Sequence, residues 1–217
     1  MANVFIVGAA GKVGSRLVKR LSDNDHQVTA MHRKPEQSDS LTGLGGKSCL
    51  LSITDASVDS LATAMKGADI VVFSAGAGGA SVELTNAVDG EGLEKSVDAA
   101  QAAGVKRFIL VSAFPDAGRG KHISETFENY MRVKRLADVY LAQSKLDWVI
   151  LRPGTLTLEE GTGKVNAGLA IKYGDISRDD VAETLLAIIE NEGISRKIIE
   201  LTEGETPVRE AIASVPA

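Results

Sequence analysis

Three glycines, Gly8, Gly11 and Gly14, follow the apolar run Val4-Phe5-Ile6-Val7 and open a helical pattern carrying Leu17, Val18 and Leu21. A strand, a glycine turn and a helix in that order suit a pyrophosphate. Backbone N–H groups at a helix N-terminus attract the anion, and glycine removes the side chains that would hold it off. The spacing is G-x-x-G-x-x-G, which makes Gly8, Ala10, Gly11, Lys12, Val13 and Gly14 the expected dinucleotide contacts; a plain βα turn would use the same residues. A second signal stands at Arg33, 19 positions beyond Gly14, where the chain reads Met31-His32-Arg33-Lys34 with no carboxylate between Val28 and Pro35. An acid at the end of the second strand would take the ribose hydroxyl of NAD, whereas a basic residue suits the 2′-phosphate of NADP. The expected cofactor is NADP(H) in preference to NAD(H). Arg33 is the stronger phosphate ligand because a guanidinium forms two parallel charge-assisted bonds, with Lys34 as its auxiliary. A solvated basic loop is the competing reading.

The elements that must position these residues follow from periodicity. Short β-branched runs alternate with longer stretches of helical period, the pattern of βαβ units around a parallel sheet. The sequence predicts strands near Val4 to Val7, Gln27 to Met31, Ser48 to Ile53, Ile70 to Ser74, Phe108 to Ser112, Trp148 to Leu151 and Lys197 to Leu201. Helices are predicted near Lys12 to Leu21, Val58 to Met65, Leu84 to Ala103, Glu125 to Gln143, Arg178 to Glu190 and Val208 to Ala213. Leu84, Val88, Leu93, Val97, Ala100 and Ala103 recur at helical spacing, so that stretch reads as one helix with one apolar face. Ser177-Arg178-Asp179-Asp180 has the form of a capping box. With neither repeat nor linker, residues 1–217 read as one domain: an α/β, Rossmann-type, doubly wound parallel sheet in three layers.

Four further stretches add chemistry: Val72-Phe73-Ser74-Ala75-Gly76-Ala77-Gly78-Gly79, Phe108-Ile109-Leu110-Val111-Ser112, Tyr130-Met131-Arg132-Val133-Lys134 and Leu151-Arg152-Pro153-Gly154. Together they resemble the atypical short-chain dehydrogenase/reductase superfamily, specifically its small bacterial NAD(P)H-binding proteins labelled sugar-epimerase-like. Flavin and biliverdin reductases are more distant relatives. The resemblance covers nearly the whole chain. It implies that Tyr130 exchanges a proton, that Lys134 binds the nicotinamide ribose and that Ser112 donates a hydrogen bond to a substrate oxygen. Tyr130 and Lys134, four apart, are neighbours on one helix face, where an ammonium would draw the phenol down from about 10. Ser74, Ala75 and Gly76 after the fourth strand, with Pro153, Gly154 and Thr155 after the sixth, are the further cofactor contacts that the resemblance implies.

Two departures from the family pattern matter. Many relatives have an aspartate at the end of the third strand, whereas Ser52 stands there in this chain, so Ser52 and the Ile53 backbone are the expected adenine contacts. Asp55 is expected to cap the next helix. Only 217 − 154 = 63 residues follow Gly154, and Thr155 to Asp175 suffices for a hairpin or flap over the nicotinamide. A nucleotide sugar would lack a pocket, which argues against epimerase activity.

Composition excludes several other functions. The net charge is −5 and aromatics are 4%, which supplies neither the basic stripe nor the stacking platforms of a nucleic-acid binder. No apolar run approaches the roughly 20 residues of a membrane helix. The N-terminus enters a strand without a basic leader, so the cytoplasm is the expected location. Cys49 has no intrachain partner, and His26, His32 and His122 lack ligand spacing, so no metal is expected. The leading expectation is an NADPH-dependent reductase of a small carbonyl, quinone or flavin-type acceptor. The alternative is an NADP(H)-binding redox sensor without turnover, and the oligomeric state is open.

Overall fold

A computed structural model describes residues 1–118 and 124–216; His122 lies outside them. The chain runs β1 (Asn3–Val7), α1 (Gly14–Asp23), β2 (Gln27–His32), α2 (Ser38–Gly43), β3 (Lys47–Leu50), α3 (Val58–Met65), β4 (Ile70–Phe73), α4 (Val82–Thr85), α5 (Gly92–Ala102), β5 (Arg107–Val111) and α6 (Glu125–Ala142). It continues through β6 (Asp147–Pro153), β7 (Thr155–Thr157), β8 (Lys164–Gly168), β9 (Asp175–Ser177), α7 (Arg178–Glu190), β10 (Lys197–Glu203), β11 (Thr206–Pro207) and α8 (Val208–Ala213).

Alternation along β1 decides what covers each face of the sheet. Val4 and Ile6 join one apolar cluster with Leu17, Val18 and Leu21 of α1 and with Val181, Leu185 and Ile188 of α7. Phe5 and Val7 join the other, with Leu61 of α3, Leu93 and Val97 of α5 and Leu141 of α6. Both faces are thus helix-covered, which is why the central strands read as continuous apolar runs. The nine-stranded sheet has the order β11-β8-β10-β6-β5-β4-β1-β2-β3. From β3 through β6 and on to β10 all neighbours are parallel. The α/β doubly wound fold and its three layers are as the sequence predicts. The strand order reverses between β1 and β4, where ligands of such sheets bind at the carboxyl ends.

The structure corrects several local readings. The stretch from Leu84 to Ala103 is not one α-helix: a π turn, Asn86–Glu91, separates α4 from α5. The widened turn carries Asp89 inward, where it is 1% exposed. Residues 155–175 do not pair as a hairpin, because β7 pairs with β9 in parallel and β8 adds to the main sheet antiparallel to β10. Ser177 caps α7 by accepting from the Asp180 N–H, but Asp180 does not complete a capping box. Its carboxylate accepts from the Ser177 hydroxyl and from the N–H groups of Thr162 and Gly163, tying the β7–β8 connection to the helix start.

Asp55 is not a cap either. Ser57 caps α3, its Oγ accepting from the Ser60 N–H at 3.1 Å, while Asp55 accepts from the Thr54 hydroxyl. Replacing Ser57 with alanine is expected to lower stability by about 1 kcal/mol, the typical cost of a lost cap, and Asp55→Ala by a few tenths at most. Urea denaturation of the two variants checks the assignment; equal losses would contradict it.

Candidate functional site at the β1–β4 switch point

The glycine turn is shaped by two close approaches. Gly8 has φ +84°, and a Cβ on it would lie 2.6 Å from the Ala75 Cα and N at the end of β4. A Cβ on Gly14 would collide with the Gly8 carbonyl oxygen and meet the Ala9 Cα at 2.9 Å. Gly11 is less constrained, since its Cβ would meet only the Gly8 carbonyl oxygen, at 3.1 Å. Helix α1 has neither a side-chain cap nor an acid in its first turn. Among the described residues the N–H groups of Lys12, Val13 and Gly14 have no acceptor. Unpaired N–H groups at a helix start carry partial positive charge, so the turn fits an anionic ligand.

A cleft of about 940 Å³ opens over this turn. Its lining includes Gly8, Ala10, Gly11, Lys12 and Val13, then Arg33, Ser52 and Ile53, then Ser74, Ala75 and Gly76, and finally Ser112, Tyr130 and Lys134. The strand ends thereby gather glycine turn, basic loop and tyrosine-lysine pair at one opening. Five expected contacts are not in the lining. Gly14 sits under the turn as a packing residue, and Lys34 is exposed, 3.9 Å from Glu36. Pro153, Gly154 and Thr155 join β6 to β7, where the Gly154 N–H bonds Leu201 and the Thr155 N–H bonds Gly174. Leu156 reaches the cleft in their place.

At one end, a chain of hydrogen bonds shapes the basic loop. The Ser38 hydroxyl donates to Ser48 at 2.8 Å, Ser48 lies 2.7 Å from His32 Nε2, and His32 Nδ1 lies 2.9 Å from the Lys34 carbonyl oxygen. A carbonyl only accepts, so Nδ1 carries the proton and Nε2 receives the one from Ser48. Arg33 stands exposed at this end and has no ion pair among the described residues. Ser52 bonds Thr54 at 2.9 Å, and Lys95 clamps the adjoining turn by donating to the carbonyls of Ile53, Thr54 and Ala56.

At the other end two buried acids organise the polar groups. Lys134 Nζ donates to the Val111 carbonyl at 2.9 Å and lies 3.6 Å from Asp89 Oδ1. Asp89 Oδ2 in turn accepts from the Ala77 N–H, fixing the glycine-rich loop after β4. Asp138, one turn beyond Lys134, receives Nε and Nη2 of Arg152 on Oδ2 and the Ser112 hydroxyl on Oδ1 at 2.5 Å. With its proton so engaged, Ser112 turns lone pairs to the cleft and offers an acceptor, not the donor that the resemblance implies. Burial pushes the Tyr130 phenol above its ordinary value of 10.0; Lys134 opposes the rise, and Asp89 and Asp138 add to it. The expected lowering by Lys134 is outweighed by desolvation.

Sequence reasoning missed Asp89, Asp138 and Arg178, which also lines the cleft. Asp138 had a signal: it falls on the buried stripe of α6 with Met131, Lys134 and Leu141. For Asp89 the signal was the pair of glycines, Gly90 and Gly92, inside a helical pattern.

Residues 8–192 match a family model described as NAD(P)H-binding. The chain belongs to the NAD(P)H-binding family. It is 42% identical over 211 residues to the Bacillus subtilis protein named uncharacterized sugar epimerase YhfK, covering 96% of this chain and 98% of that one. The structure of the oxidoreductase ylbE from Lactococcus lactis superposes with a TM-score of 0.84 at 33% identity, covering 98% of this chain and 95% of that one. ChuY, an anaerobillin reductase from Escherichia coli O157:H7, superposes with a TM-score of 0.78 at 26% identity, covering 93% of this chain and 97% of that one. These relatives agree with the atypical short-chain dehydrogenase/reductase resemblance. A nicotinamide cofactor belongs to the family, and the unpaired N–H groups over Gly11 fit its pyrophosphate.

The three turn glycines are expected to separate on substitution. Gly11→Val should weaken binding of both nicotinamide cofactors while leaving the melting temperature within a few degrees. Gly14→Ala forces backbone against backbone and should cost about 1–3 kcal/mol in urea denaturation, as overpacking does. Undiminished cofactor binding by a folded Gly11→Val protein would reduce the loop to a simple turn.

Proposed function

We propose that this protein is an NADPH-dependent reductase that delivers a hydride to a small carbonyl, quinone or flavin-type acceptor. The observation that carries the reading is the convergence of Tyr130, Lys134 and Ser112 on the cleft that also contains the glycine turn and Arg33. The bound nicotinamide supplies the hydride, so a small protein suffices for the chemistry.

Each residue then has a defined task. The turn from Gly8 to Gly14 binds pyrophosphate through its backbone, with Lys12 at the cleft wall. Arg33 takes the 2′-phosphate, while Ser52 and the Ile53 backbone receive the adenine side. Ser74, Ala75 and Gly76 form the floor between the two halves. Lys134, held by Val111 and Asp89, keeps N–H capacity for a ribose hydroxyl. Tyr130, undissociated at neutral pH, holds at its hydroxyl the proton that a reduced carbonyl oxygen needs. Ser112, an acceptor, orients a donor on the ligand. Quinone and flavin products can instead take their proton from solvent. The neighbouring ChuY and ylbE proteins, named a reductase and an oxidoreductase, lend support to this class of reaction.

Cofactor choice is tested by calorimetry with NADPH and NADH. NADPH is expected to bind at least about tenfold tighter, the worth of one charge-assisted bidentate contact, and Arg33→Ala to erase the difference. Equal affinities in the wild type would remove Arg33 from the phosphate site.

Proton delivery is tested with Tyr130→Phe and a carbonyl acceptor. The variant should retain NADPH affinity and lose turnover by about 10² to 10⁴, the range for a positioned acid. Because the phenol must be protonated to donate and its pKa is raised above 10.0, kcat/KM for reduction should not fall from this group until the pH passes that value. An alkaline limb near neutrality that vanishes in Tyr130→Phe would contradict the assignment. NADPH binding without oxidation by any carbonyl, quinone or flavin, joined to a changed affinity for a protein partner, would instead establish a sensor.

A further inference from the structure

Arg178 is a cation in the cleft with no carboxylate facing it. It is the first residue of α7, and it lines the cleft beside Leu156. Its Nη1 donates to the carbonyl oxygens of Leu156 at 2.9 Å and Thr157 at 2.8 Å, which uses both N–H bonds of that nitrogen and fixes the guanidinium against β7. The remaining N–H bonds, on Nε and Nη2, have no partner among the described residues. The adjacent acids are engaged elsewhere, Asp179 with Arg16 and Arg20 and Asp180 with Ser177 and the 162–163 backbone.

Nε and Nη2 together form the fork that grips two oxygens of a carboxylate or phosphate. The same chain uses that fork at Arg152, whose Nε and Nη2 both donate to Asp138. Arg178 presents the equivalent edge with no protein acid opposite. Since Arg16 of α1 pairs with Asp179 at 3.0 Å, the start of α7 is anchored to the first turn of α1, next to the glycine turn. A fixed guanidinium costs little further ordering when it binds, and its charge is uncompensated by protein acids until a ligand supplies an anion.

We propose that the Nε/Nη2 edge of Arg178 is an anion-binding subsite of the cleft, taking two oxygens of a phosphate or carboxylate on a bound ligand. The proposal rests on the reading of this cleft as a cofactor and acceptor site. Two sources share the chemistry, the pyrophosphate of the cofactor and an acidic group on the acceptor.

The test uses R178Q and R178K. Calorimetry with NADPH reads the cofactor arm. Fluorescence quenching of FMN and of riboflavin, on protein saturated with NADP⁺, reads the acceptor arm, because these probes differ by one phosphate. R178Q is expected to weaken NADPH or FMN about tenfold or more, with riboflavin changed by less than about twofold, and R178K to recover only part of the loss because it keeps the charge without the fork. Loss on NADPH assigns the subsite to the pyrophosphate. Loss on FMN alone assigns it to the anion of the acceptor. NADPH affinity unchanged in both variants, with FMN bound no better by the wild type than by them, overturns the proposal; if R178Q does not fold, R178K alone decides by the same criteria. A wild type that binds no NADPH refutes the cofactor reading separately. In that event inorganic pyrophosphate is titrated into wild type and R178K, and equal binding or none overturns the subsite too.

Discussion

The closeness of β1 and β4 governs everything around the site. Their ends approach until Gly8 meets the backbone of Ala75, and no side chain fits between them. From that contact the chain leaves in opposite senses, β1 into α1 on one face and β4 into the loop, α4 and α5 toward the other. The diverging connections leave a trough above the sheet. Backbone N–H groups form one wall, and the tyrosine, lysine and serine side chains stand beyond it. The position of the cleft is thus a consequence of strand order.

Charge is buried beside this trough with its partners supplied. An isolated buried ion costs several kcal/mol, and removing one member of a buried pair about 3–5 kcal/mol. Lys134 is 3% exposed, but a carbonyl and a carboxylate accompany it. Asp138 is similarly enclosed by Arg152 and Ser112. Each acid does two jobs: Asp89 joins the glycine-rich loop to α6, and Asp138 joins α6 to β5 and β6. The polar groups facing a ligand therefore stand in fixed orientations that packing alone would not impose.

Much of the architecture was legible because strands and helices announce themselves by period. The runs Val4 to Val7 and Ile70 to Phe73 could only be central strands, and Gly8, Gly11 and Gly14 marked the turn between strand and helix. The site was legible in its types more than in its contacts. Lys34 looked equivalent to Arg33, yet its side chain extends to Glu36; nothing in a dipeptide indicates which of two neighbours faces a cleft. Pro153 to Thr155 were consumed by a strand junction whose partners, Leu201 and Gly174, lie far along the chain. The direction of the Ser112 proton depends on Asp138 and Arg152, residues that no local pattern connects. Short strands such as β7, β9 and β11 exist only through their partners and have little signature of their own.

The π turn between α4 and α5 has a further consequence. Widening one turn places an extra residue in the winding, and one residue rotates an α-helix by about 100°. The apolar stripe before the turn and the stripe after it therefore do not continue each other. Leu84 and Val88 look onto the cleft, whereas Leu93 and Val97 are packed in the core. The interval of five between Val88 and Leu93, where four would keep a single stripe, is this rotation written in the sequence. A single added residue lets one continuous rod serve as a wall of the site over its first half and as a buttress of the sheet over its second.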